Sequence, residues 1–279
     1  MRILVTGATG FVGQHLLPYL QNHGHEVFAL VRPSTDGSKV YTNHLYVFED
    51  DIEHLASYLS ENYIDGIIHL ASLYIAEHKV EDIKNIILSN VYLGTAVLEA
   101  AVKSGIKWFL NTGTIWQNYN VEPYSDKYCP VNLYAASKQA FLDIAKFYTE
   151  TSNIRFCTLK LCDTYGPNDT RRKIFSLFEQ IAKTGKCLKM SPGEQKLDLV
   201  HIDNVVHDFE VLAEKLDKGV FLRDEYVVTS GSQRTLKEIA KQYEKEHNVS
   251  LDIEWGGRPY RKREVMIPYK GYPVDYTDE

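Results

Sequence analysis

The chain has 279 residues, 44% of them hydrophobic and 24% charged, which is ordinary for a globular protein with its own core. Its formal net charge of -6 argues against a general nucleic-acid or anionic-membrane partner. The first glycine turn follows too short an apolar run for a signal peptide, and no later stretch reads as a membrane span. No Cys-x-x-Cys spacing occurs, so we expect reduced thiols in a cytoplasmic protein. The cysteines are Cys129, Cys157, Cys162 and Cys187.

Apolar segments of strand length alternate with segments of helix length in the first 165 residues. Buried parallel strands are continuous apolar runs, and alternation with helices implies right-handed crossovers. The pattern predicts an α/β fold, a Rossmann-like doubly wound parallel sheet that binds a dinucleotide. The strand-like segments are 2–6, 26–31, 45–48, 65–71, 107–112 and 156–161, and the helical segments are 11–23, 52–63, 81–104 and 132–152.

The alternation loosens in residues 166–279. A helix near 172–184, a strand-like segment at 196–202 and a helix after Asp203 precede a tail rich in Gly, Pro, Tyr and Arg. We interpret this part mainly as a small C-terminal substrate-binding lobe with segments that return to the core. No low-complexity linker separates the parts, so we expect one unit with a cleft at the carboxyl ends of the strands.

The glycine-rich stretch TGATGFVG follows the first strand-like segment and opens a helix. Glycines allow a tight turn and a close approach to a pyrophosphate, which the helix N-terminus holds through free N–H groups. The alternative is a glycine-rich turn that binds nothing, but the position in a strand–turn–helix unit favours dinucleotide binding. The expected contacts of this turn are Gly7, Thr9, Gly10, Phe11, Val12 and Gly13.

The ends of the second and third strands indicate how the adenosine half is bound. Arg32 follows the second strand, with no acidic residue in reach. A cation there suits the 2′-phosphate of NADP(H), so we expect NADP(H) to be preferred, with NAD(H) possible and a solvated arginine as the alternative. Asp51 and Ile52 are candidates for adenine contact, and Asp51 also suits the N-cap of the next helix.

The stretch NLYAASKQAF places Tyr134 and Lys138 four residues apart, and therefore on the same face of a helix. A phenol and an ammonium group one turn apart can act on one bound molecule. Taken alone, this spacing is common by chance and also fits an ordinary surface pair.

Several motifs occur together in a fixed order along the chain. They are TGATGFVG, HLAS at 69–72, Asn90, NTGTIW at 111–116, Tyr134-x-x-x-Lys138 and TYGP at 164–167. With them the chain resembles the extended short-chain dehydrogenase/reductase family of nucleotide-sugar epimerases, dehydratases and reductases over nearly its whole length. The resemblance implies a homodimer formed by helices 81–104 and 132–152, for which apolar candidates are Ile86, Val97, Phe141 and Ile144.

The resemblance also implies the catalytic set: Tyr134 as acid/base, Lys138 as its partner and Thr112 as hydrogen-bond donor to the reacting oxygen. A free tyrosine has a pKa near 10, so we expect Lys138 and the nicotinamide to lower it. Both helix residues are expected to contact the cofactor as well. Further cofactor contacts by resemblance are Leu70, Ala71, Ser72, Asn90 and Leu161, with a structural role for Asn90 also open.

Two departures from the family pattern narrow the expected reaction. The sugar 4,6-dehydratases carry an Asp-Glu pair after the catalytic threonine, where this chain has Gly113–Thr114, which argues against dehydration. Asp163 stands where epimerases commonly have asparagine. The surrounding stretch looks most like the smaller reductases that make CDP-abequose or CDP-paratose and like dTDP-fucose-forming 4-ketoreductases. The expected substrate-binding residues are Trp116, Asp163, Arg171, Arg258 and Arg261, with Arg172 as a further candidate for the diphosphate.

The resemblance thus implies NADPH-dependent reduction of a CDP- or dTDP-linked 4-keto-6-deoxysugar for bacterial surface polysaccharides such as O-antigen. A nucleotide-sugar 4-epimerase would use the same machinery and is the first alternative. A non-catalytic dinucleotide-binding regulatory protein is an alternative of another class. We expect no metal ion in the site.

Overall fold

A computed structural model describes residues 1–220 and 222–276. It confirms the α/β fold, with strands and helices in alternation over the first part of the chain. The strands are β1 Arg2–Thr6, β2 Glu26–Val31, β3 His44–Val47, β4 Gly66–His69, β5 Trp108–Thr114, β6 Arg155–Leu161, β7 Asp163–Tyr165, β8 Leu188–Met190, β9 Lys196–His201, β10 Glu225–Val227, β11 Gln233–Thr235 and β12 Ile253–Trp255. The α-helices are α1 Phe11–Asn22, α2 Ile52–Glu61, α3 Ile83–Ile87, α4 Leu93–Lys103, α5 Leu133–Thr151, α6 Ile174–Thr184, α7 Ile202–Lys218 and α8 Leu236–His247.

The main sheet has seven parallel strands in the order β10-β6-β5-β4-β1-β2-β3. The chain winds outward from β1 in both directions, so the order reverses between β1 and β4. Ligands of open α/β sheets bind beside such a reversal, at the carboxyl ends of the strands. The sheet thus places the candidate site next to the glycine turn.

The sheet is covered on both faces, which is why its strands are apolar along their whole length. One apolar cluster packs β-strand residues such as Val5 and Leu110 with α1 and α7. The other packs Phe109 with α2, α4 and α5, and it includes Val97 and Phe141. These two residues and Ile86 are fully buried, so they face the protein's own core and are wrong as dimer contacts.

The helical run Val80–Lys103 has 24 residues and is long and apolar enough to cross a membrane. The expectation that no later stretch reaches this length was therefore wrong. Length and composition alone do not show a span, because the core helix of a globular protein meets the same criterion. Here α4 packs against α2 and α5 in the second apolar cluster. Between α3 and α4 the run contains a π-helical turn at Leu88–Tyr92, which includes Asn90.

The later part of the chain forms a second layer of structure around the cleft. It contains a three-stranded sheet with the order β11-β9-β7 and a pair of strands, β12 and β8. Helices α6 and α8 pack with these strands. Their apolar cluster includes Phe178, Ile239 and Tyr243. By contrast, α7 packs on α1, and β10 joins the edge of the main sheet, although both come after residue 166.

The C-terminal segment runs back from this second layer to the edge of the main sheet. The amide of Val227 in β10 donates to the carbonyl of Tyr272 at 2.8 Å, and the amide of Tyr124 donates to the carbonyl of Lys270 at 2.7 Å. The Tyr269 hydroxyl donates to the carbonyl of Ser125 at 2.7 Å. These bonds hold residues 269–272 between β10 and the segment that includes Tyr124 and Ser125.

Candidate functional site

The glycine turn has the backbone geometry that the sequence predicted. Gly7 has a φ of +74°, and a Cβ atom there would lie 2.7 Å from the backbone nitrogen of Ala71. A Cβ atom at Gly13 would lie 2.5 Å from the carbonyl oxygen of Gly7. Gly10 is the N-cap of α1 and gives it no side-chain cap, while Thr9 is exposed beside it. The open helix N-terminus suits a phosphate group.

Phe11 and Val12, the first residues of α1, are half-buried against the apolar cluster of the core. The guanidinium of Arg171 lies over the Phe11 ring, with its Cζ 3.9 Å from the ring centroid. The side chain of Phe11 therefore takes part in a cation–π contact within the protein. Because these two side chains pack within the protein, a bound cofactor would contact Phe11 and Val12 through their backbone atoms in the glycine turn.

A row of buried polar side chains crosses four strands at the carboxyl edge of the sheet. Thr6, His69, Asn111 and Thr158 are register partners on neighbouring strands, and each is at most 1% exposed. Thr6 Oγ1 lies 2.8 Å from His69 Nδ1 and accepts from the amide of Ala71 at 3.1 Å. Asn111 Nδ2 donates to Thr158 Oγ1 at 3.2 Å. The row fixes the strand ends on which the site is built.

His69 is a residue whose role the sequence did not reveal, although the HLAS motif includes it. Its ring lies between those of Phe109 and Phe141, at centroid distances of 5.7 and 5.6 Å. Burial, and next the positive charge of Lys138, lowers the pKa of His69 to about 3. The imidazole is therefore neutral at ordinary pH and serves as a hydrogen-bonding support for the strand ends.

The three predicted catalytic residues are all buried at the same edge of the sheet. Thr112 lies near the end of β5 and is 8% exposed, and Tyr134 and Lys138 lie on α5 at 9% and 1%. Thr112 Oγ1 and Lys138 Nζ have no hydrogen-bond partner among the described residues. Buried polar groups are normally bonded. These two atoms therefore fit a bound molecule that supplies their partners, as cofactor and substrate hydroxyls would.

The pKa values of the catalytic pair differ from the expectation. Burial raises the pKa of Tyr134 to about 12, although the side chain of Ser72 lowers it in part. Burial lowers the pKa of Lys138 to about 8. Lys138 thus loses its proton below the pH at which the phenol ionises, so little charge remains to lower the pKa of Tyr134. Lys138 is not among the groups that shift the pKa of Tyr134 in the protein alone, so the lowering by Lys138 and the nicotinamide together stays a prediction for the complex.

The predicted cofactor role of Asn90 needs correction, because its side chain is used within the protein. Its Oδ1 accepts from the amide of Leu73 at 2.6 Å, and its Nδ2 donates to the carbonyl of Leu73 at 3.0 Å and to Ser137 Oγ at 2.9 Å. Ser137 Oγ in turn donates to the carbonyl of Tyr134 at 2.7 Å. Asn90 is fully buried. It positions the segment after β4 against the catalytic helix.

The other predicted cofactor residues surround this edge. Arg32 is exposed at the end of β2, and the amide of Thr35 donates to its carbonyl at 2.9 Å. Asp51 is the N-cap of α2, where its Oδ1 accepts from the amide of His54 at 2.9 Å. Ile52 packs on the second apolar cluster. The half-buried residues Leu70, Ala71 and Leu161 and the exposed Ser72 lie just after β4 or at the end of β6.

A cavity of about 1200 Å³ lies between this edge and the second layer. It is lined by Trp116 and Asp163, both predicted, and by Tyr74 and Lys173, which the sequence did not indicate. Lys173 Nζ lies 3.2 Å from Asp163 Oδ1 and 5.0 Å from the Tyr74 ring centroid. Tyr74 comes two residues after the HLAS motif, and only the folded chain shows that it faces the cavity.

The predicted arginines have different surroundings. Arg171 is committed to Asp169, with Nε and Nη2 donating at 2.7 Å each, and its Nη2 also donates to the Thr164 carbonyl at 2.9 Å. It does not line the cavity and is wrong as a diphosphate ligand. Arg261 lines the cavity and pairs with Glu77 at 3.1 Å. The cavity-lining lysines and arginines without an ion pair among the described residues are Arg172, Lys196, Arg234, Arg258 and Arg263.

The four cysteines are free. Cys157 and Cys162 are buried in the core, where burial raises the pKa of the Cys162 thiol well above its ordinary value. Buried thiols of this kind are inert. They stand apart from the chemistry of the site.

Comparisons with known proteins agree with this geometry. Residues 3–227 match the NAD dependent epimerase/dehydratase family. CDP-abequose synthase from Salmonella typhimurium is 30% identical over 270 residues, 95% of this chain and 88% of that protein. CDP-abequose synthase from Yersinia pseudotuberculosis is 30% identical over 275 residues, 96% and 92% of the two chains.

A solved UDP-glucose 4-epimerase from Thermotoga maritima, with UDP-glucose, superposes with a TM-score of 0.81 at 21% identity over 100% of this chain and 91% of its own. At that identity the likeness shows the fold alone. The family match, however, covers most of the chain and includes the glycine turn, the strand ends and the catalytic helix. This chain belongs to the NAD-dependent epimerase/dehydratase family.

Proposed function

We propose that the protein reduces a nucleotide-linked 4-keto-6-deoxysugar to the 4-hydroxy sugar with NADPH. The observation that carries the proposal is the set of Thr112, Tyr134 and Lys138, buried at the carboxyl edge of the sheet. Two of their polar atoms lack partners within residues 1–220 and 222–276. The relatives named CDP-abequose synthase support a CDP- or dTDP-linked deoxysugar as substrate. We place the enzyme in the cytoplasm, in deoxysugar synthesis for bacterial surface polysaccharides.

The residues of the chain have separate tasks in this reaction. When bound at the glycine turn, the dinucleotide supplies the hydride. Thr112 Oγ1 donates a hydrogen bond to the carbonyl oxygen of the sugar, and Tyr134 donates its proton to the same oxygen as negative charge develops there. Lys138 binds hydroxyl groups beside them and stabilises the phenolate that proton transfer leaves. Burial disfavours a charged lysine or a phenolate when either is alone. When both are present, their mutual attraction offsets this cost.

NADPH is the proposed reductant because of Arg32. The guanidinium is exposed at the end of β2 and has no ion pair among the described residues, so it is available to a 2′-phosphate. Arg32→Ala should weaken NADPH binding about tenfold, as loss of a charged hydrogen bond does, and leave NADH binding nearly unchanged. Fluorescence titration with both cofactors measures this difference. Equal losses would show that Arg32 has only a structural role.

The diphosphate of the substrate is assigned to the cations of the cavity. Arg258 is the predicted ligand that remains without an ion pair, and Arg172 and Arg234 line the same cavity. Guanidinium groups match phosphate oxygens in shape and charge. Trp116 lies at the inner end of the cavity, where the sugar would lie.

The decisive experiment is a stoichiometry. Purified protein is given NADPH and CDP- or dTDP-4-keto-6-deoxyglucose, and cofactor loss and sugar product are measured together. One 4-hydroxy sugar should form for each NADPH oxidised. No oxidation with either nucleotide series would overturn the proposal.

A nucleotide-sugar 4-epimerase is the second candidate. The cavity of about 1200 Å³ has room for a sugar to turn, and the protein superposes well on a UDP-glucose 4-epimerase. An epimerase returns the hydride to the other face of the sugar and consumes no cofactor. Interconversion of UDP-glucose or UDP-N-acetylglucosamine without net NADPH loss would establish this candidate in place of the reductase.

We further propose a homodimer formed through the helical run Val80–Lys103 and α5. The apolar residues that support it are Ile83, Ile87 and Leu88 at 41% to 44% exposed and Phe147 on α5 at 62%. Ile144, the remaining predicted contact, is half-buried. Light scattering across a range of concentrations should give twice the chain mass, and a monomer mass throughout would contradict this assignment.

A further inference from the structure

Two aromatic residues, Tyr74 and Trp116, stand at the end of the cavity that faces Tyr134, and we call them the aromatic pair. Both line the cavity. The Tyr74 ring meets the Tyr134 ring edge-on, with centroids 5.1 Å apart and planes at 82°. The Trp116 ring centroid is 5.6 Å from that of Tyr74. Of the residues that line the cavity, Tyr74 thus has its ring in contact with that of Tyr134, and Trp116 lies next to Tyr74.

The backbone around Tyr74 is fixed by two asparagines. Asn90 bonds both the amide and the carbonyl of Leu73, at 2.6 and 3.0 Å. Asn132 donates to the carbonyl of Ala76 at 2.9 Å and is also the N-cap of α5. The segment that carries Tyr74 is therefore tied to the catalytic helix, which holds the ring near the reacting atoms.

Trp116 is fixed from the side of β5. It lies in a short 3₁₀ turn, Ile115–Gln117, that follows the strand directly. Thr114 Oγ1 accepts from the amide of Trp116 at 3.3 Å, and Gln117 Oε1 accepts from the amide of Thr114 at 3.0 Å. The same strand carries Thr112, so both members of the aromatic pair are tied to elements that bear catalytic residues.

The charges beside the aromatic pair neutralise each other. Lys173 Nζ lies over the Tyr74 ring and forms an ion pair with Asp163 Oδ1 at 3.2 Å. The neighbouring lining residues Ile115 and Val131 are apolar. A charged or hydroxyl group pressed against the aromatic carbon of the pair would lose water, and it could gain Lys173 as a partner only by displacing Asp163 from its ion pair.

We propose that the aromatic pair selects the substituent at C6 of the sugar: it accepts a methyl group, disfavours a hydroxyl and excludes a carboxylate. The inference rests on the proposed function, which places C4 at Tyr134. C6 is bonded to C5, the neighbour of C4, so its substituent lies among the groups that surround Tyr134. A methyl group gains from burial against aromatic carbon, whereas polar substituents must lose hydration there.

The test is a binding series on the full chain saturated with NADP⁺. Calorimetry gives dissociation constants for CDP-6-deoxyglucose, CDP-glucose and CDP-glucuronic acid, and for the matching dTDP compounds. The wild type should bind the 6-deoxy compound about 10- to 100-fold more tightly than the 6-hydroxy compound, and the glucuronate should bind more weakly still. The nucleobase is common to each series and cancels in the ratio.

Variants locate the preference. Tyr74→Ser and Trp116→Ser open room for water, and each should bring the ratio to about threefold or less, close to no preference. Tyr74→Phe keeps the ring and should keep the ratio. Tyr41→Ser removes a tyrosine that is 60% exposed in the connection between β2 and β3 and should also keep it.

Each outcome of the series is decisive. A wild-type ratio near one, or serine variants that keep the wild-type ratio, would overturn the inference. Thermal unfolding of each variant identifies misfolding, and should both serine variants misfold, the wild-type ratio alone decides. The proposed function is tested apart from this series: absence of NADPH oxidation overturns the reductase, whatever the binding ratios show.

Discussion

Two parts of the protein differ in burial and charge. The edge is the carboxyl end of the sheet with Thr112, Tyr134 and Lys138, and the wall is the side of the cavity lined by lysines and arginines. At the edge, Thr112, Tyr134 and Lys138 are at most 9% exposed, and two of their polar atoms have no partner in the part of the chain that the structure describes. At the wall, Lys173 and Arg261 are already paired with carboxylates. The edge thus holds buried polar groups without partners among the described residues, whereas the wall holds charges that are already paired.

The difference shows where each region obtains its selectivity. Burial shifts the pKa values of the edge residues strongly, to about 12 for Tyr134 and about 8 for Lys138. Exposed ion pairs contribute little to stability, so under the proposed function a ligand can replace a carboxylate at the wall at little cost. Substitutions at the edge should therefore have large effects and those at the wall small ones.

Tyr134→Phe tests the edge most directly. The ring remains while the transferable proton is lost, and turnover should fall by about 10² to 10⁴. Binding of the dinucleotide should stay close to that of the wild type, because the ring still packs. Steady-state rates and fluorescence titration measure the two effects. Tyr148→Phe on the same helix is the control, and a Tyr134→Phe rate equal to that of this control would remove Tyr134 from the mechanism.

Lys138→Met tests how much the burial of a charged lysine at the edge lowers the stability of the fold. Burial lowers the pKa of Lys138 from 10.5 to about 8, so between these values the unfolded chain binds more protons than the folded one. The stability of the wild type therefore rises with pH across this window, and below about pH 8 the whole penalty applies. The lowering corresponds to about 3 kcal/mol.

Lys138→Met should thus be more stable than the wild type at pH 7, and the gain should shrink as pH rises toward 10.5. Urea unfolding at several pH values measures both quantities without added ligand. Lys146→Met, at an exposed lysine of the same helix, should show no such trend. A difference between Lys138→Met and the wild type that does not change with pH would contradict the assignment.

Gly7→Ala tests the close packing of the glycine turn against Ala71, and Gly24→Ala is its matched control. Both positions have a positive φ, +74° and +83°, so both variants lose about 1 to 2 kcal/mol in backbone conformation. Gly24 has open space, whereas a Cβ atom at Gly7 would lie 2.7 Å from the backbone of Ala71. Gly7→Ala should therefore cost about 1 to 3 kcal/mol more. Equal free energies of unfolding for the two variants would show that the edge yields to such a contact.

Glu77→Gln tests the wall, with the smallest expected effect. It releases Arg261 from an exposed ion pair, so CDP should bind a few-fold more tightly, since such pairs contribute about 0.2 to 1 kcal/mol. The gain should decrease at high salt. Glu254→Gln, which breaks an exposed pair with Lys189, is the calorimetric control. Weaker CDP binding by Glu77→Gln would mean that Glu77 itself contacts the nucleotide.

The sequence predicted the edge better than the wall. The glycine turn, the alternation of strands and helices and the placement of Tyr134 and Lys138 on one helix depend on local spacing, which a sequence shows directly. It also placed Trp116 and Asp163 at the cavity, where the structure finds them. Tyr74, Lys173 and Glu77 were missed, because their role depends on contacts between segments far apart in the chain.

The errors have physical causes of the same kind. Arg171 was predicted as a phosphate ligand from its charge, but Asp169 two residues earlier occupies its guanidinium. Asn90 was predicted as a cofactor contact, but its side-chain amide is hydrogen-bonded to the backbone amide and carbonyl of Leu73. The sequence also did not indicate that burial raises the pKa of Tyr134 in the protein alone, because burial depends on packing density, which no spacing reveals.

The anchoring of the C-terminal segment affects the conformational entropy that the protein would lose when a nucleotide sugar binds. Residues 256–264, which include Arg258 and Arg261, lie between two anchors. Before them β12 pairs with β8, and after them residues 269–272 are bonded to β10 and to Tyr124 and Ser125. A segment with both ends held has fewer conformations to lose. Much of the entropy of arranging these arginines is thus lost during folding, which leaves a smaller entropic cost to oppose association.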